Sequence, residues 1–144
     1  MNQHFAVGNF IRDFIYNDKI EVKGNGLSTR SYMYSSDLSL WLLTLTRKSH
    51  ANDVYNIGSD FRVSIAQLAQ LVNKCGAEVY RELNLPDRTL SVKIIDEKGT
   101  GLVSHYIPKI EKSRRHVEIR EQTNLRHALK ETIKWHKLKS VMEK

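Results

Sequence analysis

The sequence predicts a small mixed α/β unit in which short strands alternate with amphipathic helices. Three observations carry that expectation. Val63 to Cys75 places Ile65, Leu68, Ala69, Leu71 and Val72 on one helical face behind a Ser64/Gln67 capping spacing. Ile20-Glu21-Val22-Lys23 and Leu90 to Ile95 alternate as half-buried strands. Glycine and asparagine turns separate these runs without any internal repeat, so one compact unit over residues 1–144 is expected.

Taken in order, Asn2 to Asp18 repeats Phe5, Phe10, Ile11, Phe14 and Ile15 at helical spacing, and Asn17-Asp18 ends the pattern. The strand Ile20 to Lys23 runs into Gly24-Asn25-Gly26, a turn able to supply positive φ. Thr29 to Tyr34 reads as an extended segment bearing Arg30, Tyr32 and Tyr34, followed by a helix that Ser36 or Asp37 caps and that continues through the apolar run Leu38 to Leu45. Val54 to Ser59 reads as a strand closed by Gly58. Gly76 stands where the Val63 to Cys75 helix would end on a glycine, and Glu78 to Leu83 reads as a further turn or two of helix before Pro86. Beyond the strand Leu90 to Ile95, Gly99-Thr100-Gly101 reads as a loop and Val103 to Ile107 as a strand. Pro108 opens a polar helix as its first residue, and Thr123 caps a last helix lined by Leu125, Leu129 and Ile133 with Trp135 beside them.

Composition excludes several classes. With 40% hydrophobic and 27% charged residues the chain is neither disordered nor membrane-spanning; Leu38 to Leu45 is far too short to cross a bilayer. The N-terminus has no signal-peptide core, and the lone Cys75 forms no internal disulfide, which points to a reducing compartment and the cytoplasm. Lys and Arg outnumber Asp and Glu by 23 to 16, an excess that attracts polyanions without naming one. The six histidines lack metal-ligand spacing. The seven glycines form neither a dinucleotide-binding fingerprint nor a Walker loop, and none of the six tyrosines has a lysine four residues later. Arg30, on a supported extended segment, suits a bidentate grip on phosphate or carboxylate; a surface salt bridge is the competing account.

The segments His4 to Ile11, Ile20 to Gly26, Arg30 to Leu38, Val54 to Ser59, Ser64-Ile65 and Tyr106-Ile107-Pro108 resemble, in order and spacing, the C-terminal part of extended short-chain dehydrogenase/reductases. More narrowly, they are similar to the NAD-dependent sugar-nucleotide epimerase/dehydratases, nearest the dTDP-glucose 4,6-dehydratase type. The resemblance implies a substrate-binding lobe whose Rossmann half, with the NAD loop and the catalytic Tyr-x-x-x-Lys, is missing from this chain. It therefore implies no catalytic residue here, no NAD held by this chain alone, and a role in polysaccharide biosynthesis through recognition of a nucleotide-diphosphate sugar.

By position, the resemblance places Arg30 on the substrate diphosphate and Asn56 near the nucleotide. It places His4 and Phe5 at the mouth of the site, and Glu21 to Lys23 along the base. His105 falls before Tyr106 where relatives often carry a second phosphate-binding arginine, and Lys109 where an aspartate is common. Local packing and local backbone hydrogen bonds are the competing accounts for Asn56, Tyr32, Tyr34 and Tyr106. The first helix, with Phe5, Phe10 and Phe14, and the apolar run Leu38 to Leu45 are the surfaces expected to need cover from a Rossmann half or from self-association, a loosely packed fold being the other expectation. A basic nucleic-acid-binding module is the alternative function; the glutamates interleaved among the C-terminal cations and the lack of an RNA or DNA motif speak against it.

Overall fold

A computed structural model describes residues 5–50, 52–96, 102–118 and 120–142; His4 and the Gly99-Thr100-Gly101 loop lie outside them. The order is α1 (Ala6–Tyr16), β1 (Lys19–Lys23), β2 (Thr29–Ser31), α2 (Ser35–Lys48), β3 (Arg62–Ser64), α3 (Ile65–Glu82), β4 (Ser91–Ile95), β5 (His105–Tyr106), α4 (Glu111–Val117) and α5 (Leu125–Met142). The strands form two small sheets. In one, β1 pairs in parallel with β4, Lys19 opposite Ser91 through Lys23 opposite Ile95. In the other, β2 is central, antiparallel to β3 and parallel to β5.

The main core forms around α3, whose buried Leu68, Ala69, Val72, Cys75 and Val79 meet Phe10, Phe14 and Ile15 of α1, Ile20 and Val22 of β1, and Leu129 and Ile133 of α5. The Ser64 hydroxyl accepts from Gln67 N at 3.1 Å while the Gln67 side chain accepts from Ser64 N at 2.9 Å, so the expected capping box is present. The helix runs on through Gly76, which caps nothing. A Cβ there would stand 2.3 Å from Phe14 Cε1, so the glycine admits a buried ring rather than ending a helix. The Gly24-Asn25-Gly26 turn does use positive φ, +79° and +71° at its glycines, and Gly26 O accepts from Ala66 N at 3.0 Å.

Helix α2 packs on α4, and with Leu45 and Ile110 its Trp41 is buried outside the main core. No side chain caps its start. Asp37, 3% exposed, instead accepts from Gln122 N at 3.1 Å and Thr123 N at 2.9 Å, fastening α2 to the entrance of α5. Thr123 is accordingly a donor to that carboxylate, and Asn124 caps α5 by accepting from His127 N at 2.9 Å. On the outer side of α2, Leu38, Leu40, Leu42 and Leu43 are 40 to 67% exposed.

The strand expected at Val54 to Ser59 joins no ladder among the described residues. Its backbone acceptors are claimed by side chains of the 109–113 region: Lys112 Nζ donates to Val54 O at 3.1 Å and the Ser113 hydroxyl donates to Asn56 O. Pro108 precedes α4 instead of opening it and lies against Gly58, where a Cβ would come within 2.7 Å of its Cγ. Strand β5 is shorter than the expected Val103 to Ile107.

Candidate functional site

Arg30 occupies the middle of β2, between Val63 of β3 and Tyr106 of β5. Its guanidinium folds onto the approach to β5: Nη1 donates to Thr29 O at 2.8 Å and Ser104 O at 3.0 Å, and Nη2 donates to Ser104 Oγ at 2.8 Å. The competing account, a surface salt bridge, does not describe it, because these acceptors are uncharged. Tyr32, two residues on, leans on the core, and burial raises its hydroxyl pKa while the nearby Arg30 charge partly offsets the rise.

Because side chains alternate across a strand, the register sets Arg30 with Tyr106 and Ser104 on one face, and Thr29 with His105 on the other. His105 Nδ1 lies 2.7 Å from Thr29 Oγ1. Ser104 N donates to Ser28 Oγ at 3.1 Å, and Thr29 N to Ser104 O at 2.9 Å. Together these bonds hold a two-residue strand whose ladder alone is short. Tyr106 stays 70% exposed.

The other residues expected in the site are placed differently. Asn56 donates through Nδ2 to Lys109 O at 3.0 Å, so its amide braces the 109–113 region, a partner 53 positions away rather than the local backbone of the competing account. Lys23 ends β1 and helps line a polar groove of about 870 Å³ with Ala6, Asn9, Asp13, Glu21 and Lys93. Phe5, 77% exposed, stands directly before α1. The neighbour Lys19 holds the Glu21 carboxyl below its usual range, chiefly by a hydrogen bond. Sequence reasoning passed over Ser104 and Thr29, because their partners lie 74 and 76 positions away and leave no local signal.

Four cations of the C-terminal helices, Lys112, Arg114, Arg126 and Lys130, are ion-paired. Arg126 pairs with Glu78, Lys130 with Glu82 and, at 3.7 Å, with Glu78, while Arg114 holds Asp60 at 2.9 Å and Glu121 at 3.3 Å. These pairs tie α3 to α5 and α4 to the 60 and 121 regions, so part of the charge excess there is engaged within the fold. Among the described residues no cluster of three or more metal-ligating side chains occurs, and no helix is long and apolar enough to cross a membrane.

The described residues around the start of α3 do not fit an NAD cradle. Among the described residues the Gly24-Asn25-Gly26 turn leads into β2 and packs against the start of α3, whose first amides are already bonded within the protein, Ile65 N to Ser28 O and Ala66 N to Gly26 O at 3.0 Å each, and Gln67 N to Ser64 Oγ. A dinucleotide cradle needs such amides free to face a pyrophosphate.

No protein-family model matches the chain. In sequence it is 28% identical over 132 residues to the dTDP-D-glucose 4,6-dehydratase of Bos taurus, an alignment covering 92% of this chain and 36% of that protein. In structure it superposes on the epimerase Mth375 of Methanothermobacter thermautotrophicus with a TM-score of 0.76 at 18% identity, covering 98% of this chain and 39% of that one. The dTDP-glucose 4,6-dehydratase of Bacillus anthracis, solved in complex with NAD, gives 0.73 at 15% identity, with 95% and 40% covered. The chain thus spans little more than a third of the length of the cattle protein and about two fifths of each solved chain. It is related to the NAD-dependent sugar-nucleotide epimerase/dehydratases of the extended short-chain dehydrogenase/reductase type, and its α/β fold is that of one part of such a protein.

Proposed function

We propose that residues 1–144 form a lobe that binds a nucleotide-diphosphate sugar for an NAD-dependent dehydratase or epimerase, contributing recognition and no chemistry of its own. The observation that carries this reading is Arg30: a guanidinium fixed by uncharged acceptors on a central strand keeps its full charge for an anionic ligand. The names of the related proteins supply the ligand class, a deoxythymidine-diphosphate sugar. In this role Arg30 meets a phosphate and exposed Tyr106 borders the same face, while Lys23 lines the polar groove that takes the base, and Phe5 stands exposed just before α1. His105 faces the other side of the ladder, and it and Asn56 serve chiefly to hold the β5 and 109–113 segments in place. Binding of this kind orients a sugar for hydride transfer carried out elsewhere in a complete enzyme.

The test is a calorimetric titration of dTDP, and of UDP beside it, into wild type and Arg30→Ala. Saturable binding that weakens about ten- to a hundredfold in the variant is expected from the loss of a charge-assisted contact. Equal affinities would remove Arg30 from the site. Conversion of dTDP-glucose to a 4-keto sugar by the isolated chain would overturn the assignment to recognition alone. Binding of mixed-sequence oligonucleotides that falls steeply with salt, without dTDP binding, would favour a nucleic-acid role instead.

A further inference from the structure

The hydrogen-bond pattern around Arg30 also indicates how the ligand is gripped. A guanidinium carries five N–H donors in a rigid fork. Three are engaged here: both on Nη1, by Thr29 O and Ser104 O, and one on Nη2, by Ser104 Oγ. Ser104 thus meets the end of the fork with two of its own oxygens, its carbonyl on Nη1 and its hydroxyl on Nη2. Among the described residues, Nε–H and the second Nη2–H have no acceptor, and they share the lateral edge of the plane. Two parallel donors on one edge match two oxygens of a single phosphate group.

We infer that Ser104 is a positioning residue: by clamping the end of the Arg30 fork, it presents the Nε/Nη2 edge to one phosphate of a nucleoside diphosphate. The inference rests on the reading of Arg30 as the diphosphate ligand and goes beyond it by assigning the edge used and the residue that sets it. Ser104 is itself held on both sides, its amide by Ser28 Oγ and its carbonyl by Thr29 N, so the clamp is anchored to β2 and does not depend on the side chain alone. Removing the hydroxyl frees Nη2 to rotate while leaving the strand pairing intact.

Two measurements on the whole chain test this. The first is the guanidinium NMR spectrum of Arg30 without ligand, in which separate, slowly exchanging Nη signals are expected for wild type, averaged signals for Ser104→Ala, and separate signals again for Ser104→Thr, which keeps a hydroxyl. The second is dTDP titration, with affinity expected to fall about three- to tenfold in Ser104→Ala and to recover in Ser104→Thr, at unchanged thermal stability. Unchanged Nη signals in Ser104→Ala, or full dTDP affinity in that variant where Arg30→Ala loses it, would overturn the positioning role. Failure of wild type to bind dTDP at all would instead sink the diphosphate reading and with it the ligand assigned to the edge, while the NMR comparison still decides whether Ser104 orders the guanidinium.

Discussion

Gly76 lies under the ring of Phe14, so close that a methyl group at position 76 would meet Cε1, Cζ and Cδ1 at 2.3 to 2.6 Å. Phe14 is fully buried and cannot swing away without opening the contact between α1 and α3. Gly76→Ala should therefore destabilise the fold. Removing a mid-helix glycine gains about 1 kcal/mol, but forcing a buried ring aside costs on the order of 1–3 kcal/mol, and with a clash this short the loss wins. Urea denaturation of the two proteins checks the sign, and a stabilised variant would contradict the packing described.

Asp37→Ala should cost about 1–3 kcal/mol, since it strands the amides of Gln122 and Thr123 that the carboxylate now holds. Hydrogen exchange at those two amides should accelerate well beyond the global change in stability, because the bond fastens a local junction. Parallel slowing or no local change would show that the carboxylate does not fasten it.

The Asp60 pair should give a small acid-sensitive contribution. The hydrogen bond from Arg114, and then its charge, hold the Asp60 carboxyl below its ordinary value near 3.8. A carboxylate whose pKa is lowered by folding contributes its full stability above the unfolded value and loses it as pH falls through the folded value. With Asp60 half exposed, solvent screening keeps the contribution to no more than about 1 kcal/mol. Stability measured from pH 7 down to acid should show the gap between wild type and Asp60→Asn constant at neutral pH and closing below the ordinary carboxylate value. A gap that widened on acidification would refute the sign.

Helix α2 should make the isolated chain bind hydrophobic dye and self-associate, because Leu38, Leu40, Leu42 and Leu43 leave an apolar face uncovered. Each 100 Å² left in water forgoes about 2.5 kcal/mol of burial. Replacing Leu42 and Leu43 with serine should lower dye binding and shift sedimentation toward monomer without lowering the melting temperature. A dye-negative wild-type monomer would show that this face needs no cover.

What the sequence disclosed depended on how locally each feature is determined. The α3 capping box and the periodic faces of α1, α3 and α5 rest on residues a few positions apart, and the strands at 19–23 and 91–95 on simple alternation. Gly76 was legible as a glycine near a helix end but not as a seat for Phe14, since that ring arrives from another helix. The 54–59 segment has a strand's composition, yet its acceptors go to Lys112 and Ser113, more than fifty positions on. Asp37 has the chemistry of a cap and bonds 85 and 86 positions away instead. In the candidate site, Arg30 stood out through its family-like context and its support, whereas Ser104 had no pattern to mark it.

The parallel pairing of β1 with β4 and of β2 with β5 is closed only by residues far along the chain. Strands β1 and β2 begin at residues 19 and 29, but their parallel partners begin at residues 91 and 105. Until those residues are made β1 has no ladder and the Arg30 fork lacks the two Ser104 oxygens, so β1 and one side of β2 stay open. Such late, long-range closure makes folding slow and exposes these edges to other chains, which gives chaperones a defined interval in which to act.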